Sequence, residues 1–148
     1  AFFGAPAVII GWAKPVPFNP NNLKNKRWGP AIVALAGPLT NIFLAIIFGT
    51  LIRFSYLIPS LPPSFDAFLM IIVWINLLLA IFNLMPIPPL DGSKILFSVL
   101  PHHWHNFETL LERQGFILIL IFVFFGFNLI LPLIFFLFNL IVGRPFGF

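Results

Sequence analysis

Apolar residues fall into three long blocks, separated by short polar gaps. The first runs from Ala31 to about Ile58, with Arg53 as its one charge. The second runs from about Phe65 to Met85, interrupted by Asp66 at its start and by Asn76 and Asn83. The third, rich in Phe, runs from Gly115 to Val142. A helix needs about 20 apolar residues to cross the hydrocarbon of a bilayer. The pattern therefore predicts spanning helices near 31–57, 65–85 and 115–142. Proline shapes the gaps because it lacks an N–H and clashes with the preceding turn. Pro15, Pro17, Pro20 and Pro30 make residues 12–30 mostly non-helical, and Pro59, Pro62 and Pro63 form a short loop. Residues 86–94 (PIPPLDGSK) end the second block, and a short amphipathic helix follows near 92–100. The most polar stretch, residues 101–114, reads as a surface loop. Pro132 predicts a kink in the third span. The fold class is all-α, a polytopic helical membrane protein of about three spans with a Pro-broken, membrane-embedded loop.

Composition sharpens this picture. Of 148 residues, 60% are hydrophobic and 8% are charged. A soluble domain carries about 25% charged residues, and disorder requires low hydrophobicity with high net charge, so both classes are excluded. With no Cys there is neither a disulfide framework nor a thiolate metal site. A net charge of +4 would suggest a nucleic-acid partner in a soluble protein. Here the cations sit in the gaps between apolar runs, so the partner is a lipid bilayer and not nucleic acid. Lys14, Lys24, Lys26 and Arg27 precede the first span, and Lys94 and Arg113 lie between the second and third. The 59–64 loop has no Lys or Arg. The positive-inside rule puts residues 12–30 and 91–114 in the cytosol and the 59–64 loop outside. Arg53, near the outer end, can snorkel. Ala1–Trp12 is apolar from the first residue, lacks a basic leader and is too short to span. It reads as the tail of a longer segment cut off upstream. The chain is then one domain, 1–148, with a truncated apolar segment and Pro-rich loop over 1–30 and transmembrane helices over 31–142.

Asp91 carries the most chemical information. An ionised carboxylate at the bilayer centre costs on the order of 2.5–3.5 kcal/mol on insertion scales. Two readings of Asp91 stay open on residue chemistry. It could cap the short helix that follows, accepting first-turn N–H groups, or it could ligate a metal. Asn83, Pro86 and Pro88 lead into it. Non-helical backbone at bilayer depth is tolerated where it is buried in protein or lines a wet cavity, so the run is either a helix stop at the interface or part of a polar site. Gly37-Pro38-x-x-Asn41 begins the first span. Its small residues allow close helix approach, and Asn41 can either bond across helices as packing glue or face the same cavity as Asp91. His102, His103, His105 and Glu108 suggest zinc, but without an H-E-x-x-H pattern they read as interfacial side chains.

Together these residues resemble the site-2 protease family of intramembrane zinc metalloproteases. The likeness rests on Gly11-Trp12-Ala13-Lys14-Pro15-Val16-Pro17 with Asn19-Pro20, on Ala36-Gly37-Pro38-Leu39-Thr40-Asn41, and on Asn83 to Gly92. The last stretch reads as the family's N-x-x-P-x-P-x-L-D-G motif, and the first resembles the compact bacterial-type branch without a PDZ domain. The resemblance implies Zn²⁺ as cofactor and Asp91 as its third protein ligand, beside two His from an H-E-x-x-H helix whose Glu is the general base. Three protein ligands leave the fourth position open, as in catalytic zinc sites. It also implies a catalytic role for Asn41 in holding substrate or oxyanion. Asn83, Pro86 and Pro88 become substrate-binding residues, and the substrate is a transmembrane protein in a bacterial plasma membrane. Residues 11–20 would offer an edge to an unwound substrate strand. H-E-x-x-H is absent from residues 1–148, so the chain alone is expected to be inactive. Two other classes compete: a pseudoprotease or scaffold that binds transmembrane helices without cutting, and a small transporter using the broken helix as an ion site. Sequence upstream of Ala1 separates them.

The charge asymmetry makes a direct prediction. A Ser60→Cys variant in intact cells should react with a membrane-impermeant thiol reagent. Labelling only after permeabilisation would reverse the assigned orientation.

Overall fold

The computed structural model describes residues 28–58, 60 and 62–144. The expectations for residues 1–27, including the non-helical 12–27 segment and the 11–20 edge, lie outside the described residues. Five α-helices follow in order: α1 (Gly29–Phe54), α2 (Pro63–Asn83), α3 (Asp91–Val99), α4 (His105–Ile121) and α5 (Phe127–Val142). A 3₁₀ turn, Ser55–Leu57, ends α1, and another, His102–Trp104, leads into α4. The described residues contain no strand. The protein is all-helical, as the pattern of apolar blocks predicts. Helices α1, α2 and the continuous run His102–Val142 are long and apolar enough to cross a membrane.

The three spans share one core. It is built from Ala45 and Ile52 of α1, Leu69, Met70, Val73, Leu77 and Ile81 of α2, and Ile130, Ile134, Phe138 and Val142 of α5. On α2 and α5 these residues recur every three or four positions, so each helix turns one stripe inward. On α1 the buried positions Ala31, Ala34, Pro38, Ala45 and Ile52 follow the same spacing, and the half-buried Asn41 falls on that stripe. Trp74 locks α2 to α5 through Phe135 and Phe138, with ring centroids 4.8 and 6.2 Å apart. Gly49 admits Ile141 where a Cβ would collide. The outward residues are also large and apolar, for example Phe125 at 77% and Leu129 at 80% exposure. Such a surface suits lipid and not water.

Polar groups tie off one end of the bundle. Arg144 Nη2 meets Asp66 Oδ2 at 2.6 Å, joining the end of α5 to the start of α2. Ser55 Oγ donates to the same oxygen at 3.3 Å from the end of α1. Gly143 stops α5 in the left-handed conformation, φ 79°, and its N–H reaches the Asn139 carbonyl.

The structure corrects one expectation. Residues 105–114 are not a loop, because α4 already begins at His105 and runs without interruption into the third span. No Pro or Gly occurs from His102 to Gln114, and Glu, Leu, Gln and Arg favour helix. Polarity alone pointed to a loop, whereas backbone propensity decided the outcome. The helical run also passes through Pro132. Its irregularity is a π-helical turn at Phe122–Gly126, where the Phe122 ring covers Gly126 and lies 6.1 Å from that of Phe82.

Gly115 packs α4 directly on the backbone of Pro88, in the broken loop after α2. A Cβ there would collide with the Pro88 carbonyl. Gly115→Val should therefore destabilise the protein by about 1–3 kcal/mol, the usual penalty for overpacking, read as a lower thermal midpoint in detergent. An unchanged midpoint would show that α4 does not clamp the loop.

Candidate functional site

The loop between α2 and α3 leaves helical geometry at Leu84 and regains it at Asp91. Its backbone solves the problem that lipid poses for irregular chain. Pro86, Pro88 and Pro89 have no N–H to satisfy. The four remaining donors from Leu84 to Leu90 all find carbonyls: Leu84 on Ala80, Met85 on Phe82, Ile87 on Met85 and Leu90 on Ile87, at 2.8–3.1 Å. The Pro88–Pro89 peptide is cis. Gly92 then folds back so tightly that a Cβ would strike the carbonyls of Leu84 and Met85. Only glycine permits this closure.

Asp91 is the first residue of α3, directly after this loop. It does not cap the helix: the N-cap is Leu90, and α3 has no side-chain cap hydrogen bond. Instead Lys94 Nζ meets Asp91 Oδ1 at 2.9 Å. Oδ2 has no hydrogen bond among the described residues and points toward α1, where a Cβ on Gly37 would lie 3.6 Å from it. The capping interpretation of Asp91 is thus not what the structure adopts. Ser93 is buried, and its hydroxyl holds the Leu90 carbonyl at 2.7 Å.

The surroundings place the other sequence-predicted residues. Asn41 lies one turn beyond Gly37 on α1, half-buried and without a side-chain hydrogen bond among the described residues. Asn83 is the last residue of α2 and is half-buried. Pro86 is exposed, and Pro88 is buried beneath Gly115. At 1.5 Å per residue, Gly37 lies about 24 Å along α1 from Arg53. That separation is less than the hydrocarbon thickness of about 30 Å, and Asp91 faces α1 at the Gly37 end of this helix. The His cluster is elsewhere. His102–Trp104 form an exposed turn, and His105 Nδ1 lies 3.6 Å from Glu108 Oε2. Among the described residues no group of three or more His, Cys, Asp or Glu side chains could hold a metal ion.

Sequence reasoning did not single out Lys94 or Gly115. The signal for Lys94 was its i+3 position from Asp91, where helical neighbours meet. Gly115 opened an apolar block and gave no sign of its partner.

The sequence profile of Peptidase family M50 matches residues 58–125, the segment that holds α2, the loop and Asp91. Over that segment the chain is similar to peptidase family M50. This is the grouping of site-2 proteases that the Asn83–Gly92 motif resembles. Three relatives carry the name "Putative zinc metalloprotease". The one from Bacillus subtilis is 34% identical over 127 residues, covering 80% of this chain and 58% of that protein. The one from Methanocaldococcus jannaschii is 46% identical over 94 residues, covering 61% and 44%. The one from Synechocystis is 38% identical over 78 residues, covering 51% and 19%. The chain spans about half the length of the first two. No solved structure matches.

Three helices long and apolar enough to cross a membrane, together with this likeness, support a multi-pass membrane protein. Asp91 fits one position of a zinc site, since Oδ2 is a hard anionic donor without another hydrogen-bond partner among the described residues. The described residues do not complete such a site.

The two glycines make opposite predictions. Gly37→Ala meets only an ordinary contact and improves helix propensity, so the thermal midpoint in detergent should hold or rise. Gly92→Ala should lower it, because backbone carbonyls cannot withdraw. Equal midpoints for the two variants would contradict the loop closure.

Proposed function

We propose that this chain supplies the aspartate ligand and the substrate-holding elements of an intramembrane zinc metalloprotease. One observation carries the reading: the carboxylate of Asp91 has no hydrogen bond to Oδ2 among the described residues and turns that oxygen toward the small Gly37 face of α1. Lys94 engages only Oδ1, which leaves Oδ2 as an anionic oxygen donor for a divalent cation. The likeness to M50 and the names of the relatives support zinc as that cation. Two further protein ligands and a general base come from outside residues 1–148, which contain no H-E-x-x-H. The isolated 148-residue chain is then inactive and is the C-terminal part of the protease domain.

Bound zinc supplies Lewis acidity toward a scissile carbonyl and a nucleophile drawn from water at neutral pH. The remaining work falls to this chain. Asp91 holds the metal through its carboxylate. Asn41, one turn from Gly37, donates its amide N–H to a substrate carbonyl or to the charge that develops on it. Asn83 and Pro86 receive an unwound stretch of a transmembrane substrate, and Pro88 fixes the loop under Gly115. Helical amides are shielded and internally bonded, so the substrate has to unwind before cleavage. In the orientation set by Lys and Arg, the site lies toward the cytosolic side of a bacterial plasma membrane.

Asp91→Asn tests this reading. Asn preserves shape and capping ability but removes the charge that the metal requires. The full-length protein carrying it should stay folded, lose stoichiometric zinc and lose cleavage of a helical membrane substrate. Near-normal zinc content and cleavage would sink the assignment.

A further inference from the structure

We infer that Lys94 is a positioning residue for the Asp91 carboxylate, restricting it to ligation through Oδ2 alone. The inference rests on the zinc-ligand reading of Asp91 and adds a residue that the motif does not contain. Lys94 lies three residues after Asp91 on α3, so the helix itself brings the two side chains together. Its Nζ meets Oδ1 at 2.9 Å, the length of a charge-assisted hydrogen bond. As a source of stability such a pair is minor, because Lys94 is 52% exposed and Asp91 31% exposed at the side chain. Its consequence is geometric. With Oδ1 occupied, the carboxylate cannot turn freely about its own bonds, and Oδ2 remains fixed toward Gly37.

The chemistry of zinc gives that restraint a purpose. A carboxylate offering both oxygens would take two positions around the metal, while a catalytic site needs an open position for water or substrate. An ammonium on Oδ1 holds the ligand to one oxygen and offsets the charge of the other. Ligating carboxylates are generally hydrogen-bonded in this way, and loss of the partner typically weakens metal binding about 10–100-fold. Lys94 can fill this role without being buried. It opens onto a cleft of about 520 Å³ lined also by Pro30, Phe97, Ser98, His102 and Glu108, so its stem and charge remain solvated on one side. Glu108 also lines that cleft, and the structure pairs Lys94 with Asp91.

The test uses the full-length protein, purified in detergent, as wild type, Lys94→Met, Lys94→Arg and Asp91→Asn. Zinc affinity is measured by competition with a chelator, and the coordination sphere is read from the visible absorption of the Co²⁺-substituted forms. Lys94→Met, which keeps the aliphatic stem, should bind zinc about 10–100-fold more weakly. Its Co²⁺ spectrum should weaken as the carboxylate turns bidentate and coordination number rises. Lys94→Arg should restore both. Unchanged or tighter zinc binding in Lys94→Met, or a loss that Arg does not repair, overturns the positioning role. Asp91→Asn separates the two levels of the argument. If it loses zinc while Lys94→Met does not, the ligand reading stands and the Lys94 inference falls. If Asp91→Asn keeps wild-type zinc affinity, both fall.

Discussion

In hydrocarbon a backbone that leaves the helix has to satisfy its own hydrogen bonds, and the residues from Leu84 to Leu90 meet that demand by subtraction as much as by pairing. Three prolines remove three donors, and short turns satisfy the other four. This local solution delivers a charged residue on a rigid support directly after a spanning helix. Gly92 closes the loop against its own carbonyls, and Gly115 of α4 covers Pro88. Leu84 to Asp91 is consequently held from both sides by contacts that admit no Cβ.

The three spans then act as a frame. Their common core fixes α1 against α2, which sets Gly37 opposite Asp91. At the far end, Asp66, Arg144 and Ser55 join the three helices through hydrogen bonds. Between these polar ends the contacts are apolar. Oδ2 of Asp91 thus faces α1 across a gap kept open by Gly37, with Asn41 one turn further along that helix.

Much of this was legible in the sequence, for identifiable reasons. Apolar block length gave the first two spans and the end of the third to within a few residues, because hydrocarbon thickness leaves little freedom. The Pro-x-Pro-Pro run marked the broken loop, because proline acts locally. The start of α4 was misread, because Glu108, Glu112, Arg113 and Gln114 are polar but also good helix formers. Lys94 required attention to i+3 spacing within α3. The packing of Gly115 on Pro88 and the Arg144–Asp66 pair were not legible, since nothing local joins residues 27 or 78 positions apart. For Asp91, residue chemistry left cap and ligand open; the structure removed the cap by starting α3 without a side-chain cap hydrogen bond and placing Lys94 on one carboxylate oxygen.

The central claim, that Asp91 touches the metal, is tested most directly by changing the ligand atom. In the full-length protein, Asp91→Cys would place a soft thiolate where a hard carboxylate stands, and thiolates favour softer metals. Titration of this variant with Cd²⁺ should produce an ultraviolet thiolate-to-cadmium charge-transfer band that the wild-type protein lacks. Cadmium bound at full stoichiometry without that band would mean that residue 91 lies outside the coordination sphere.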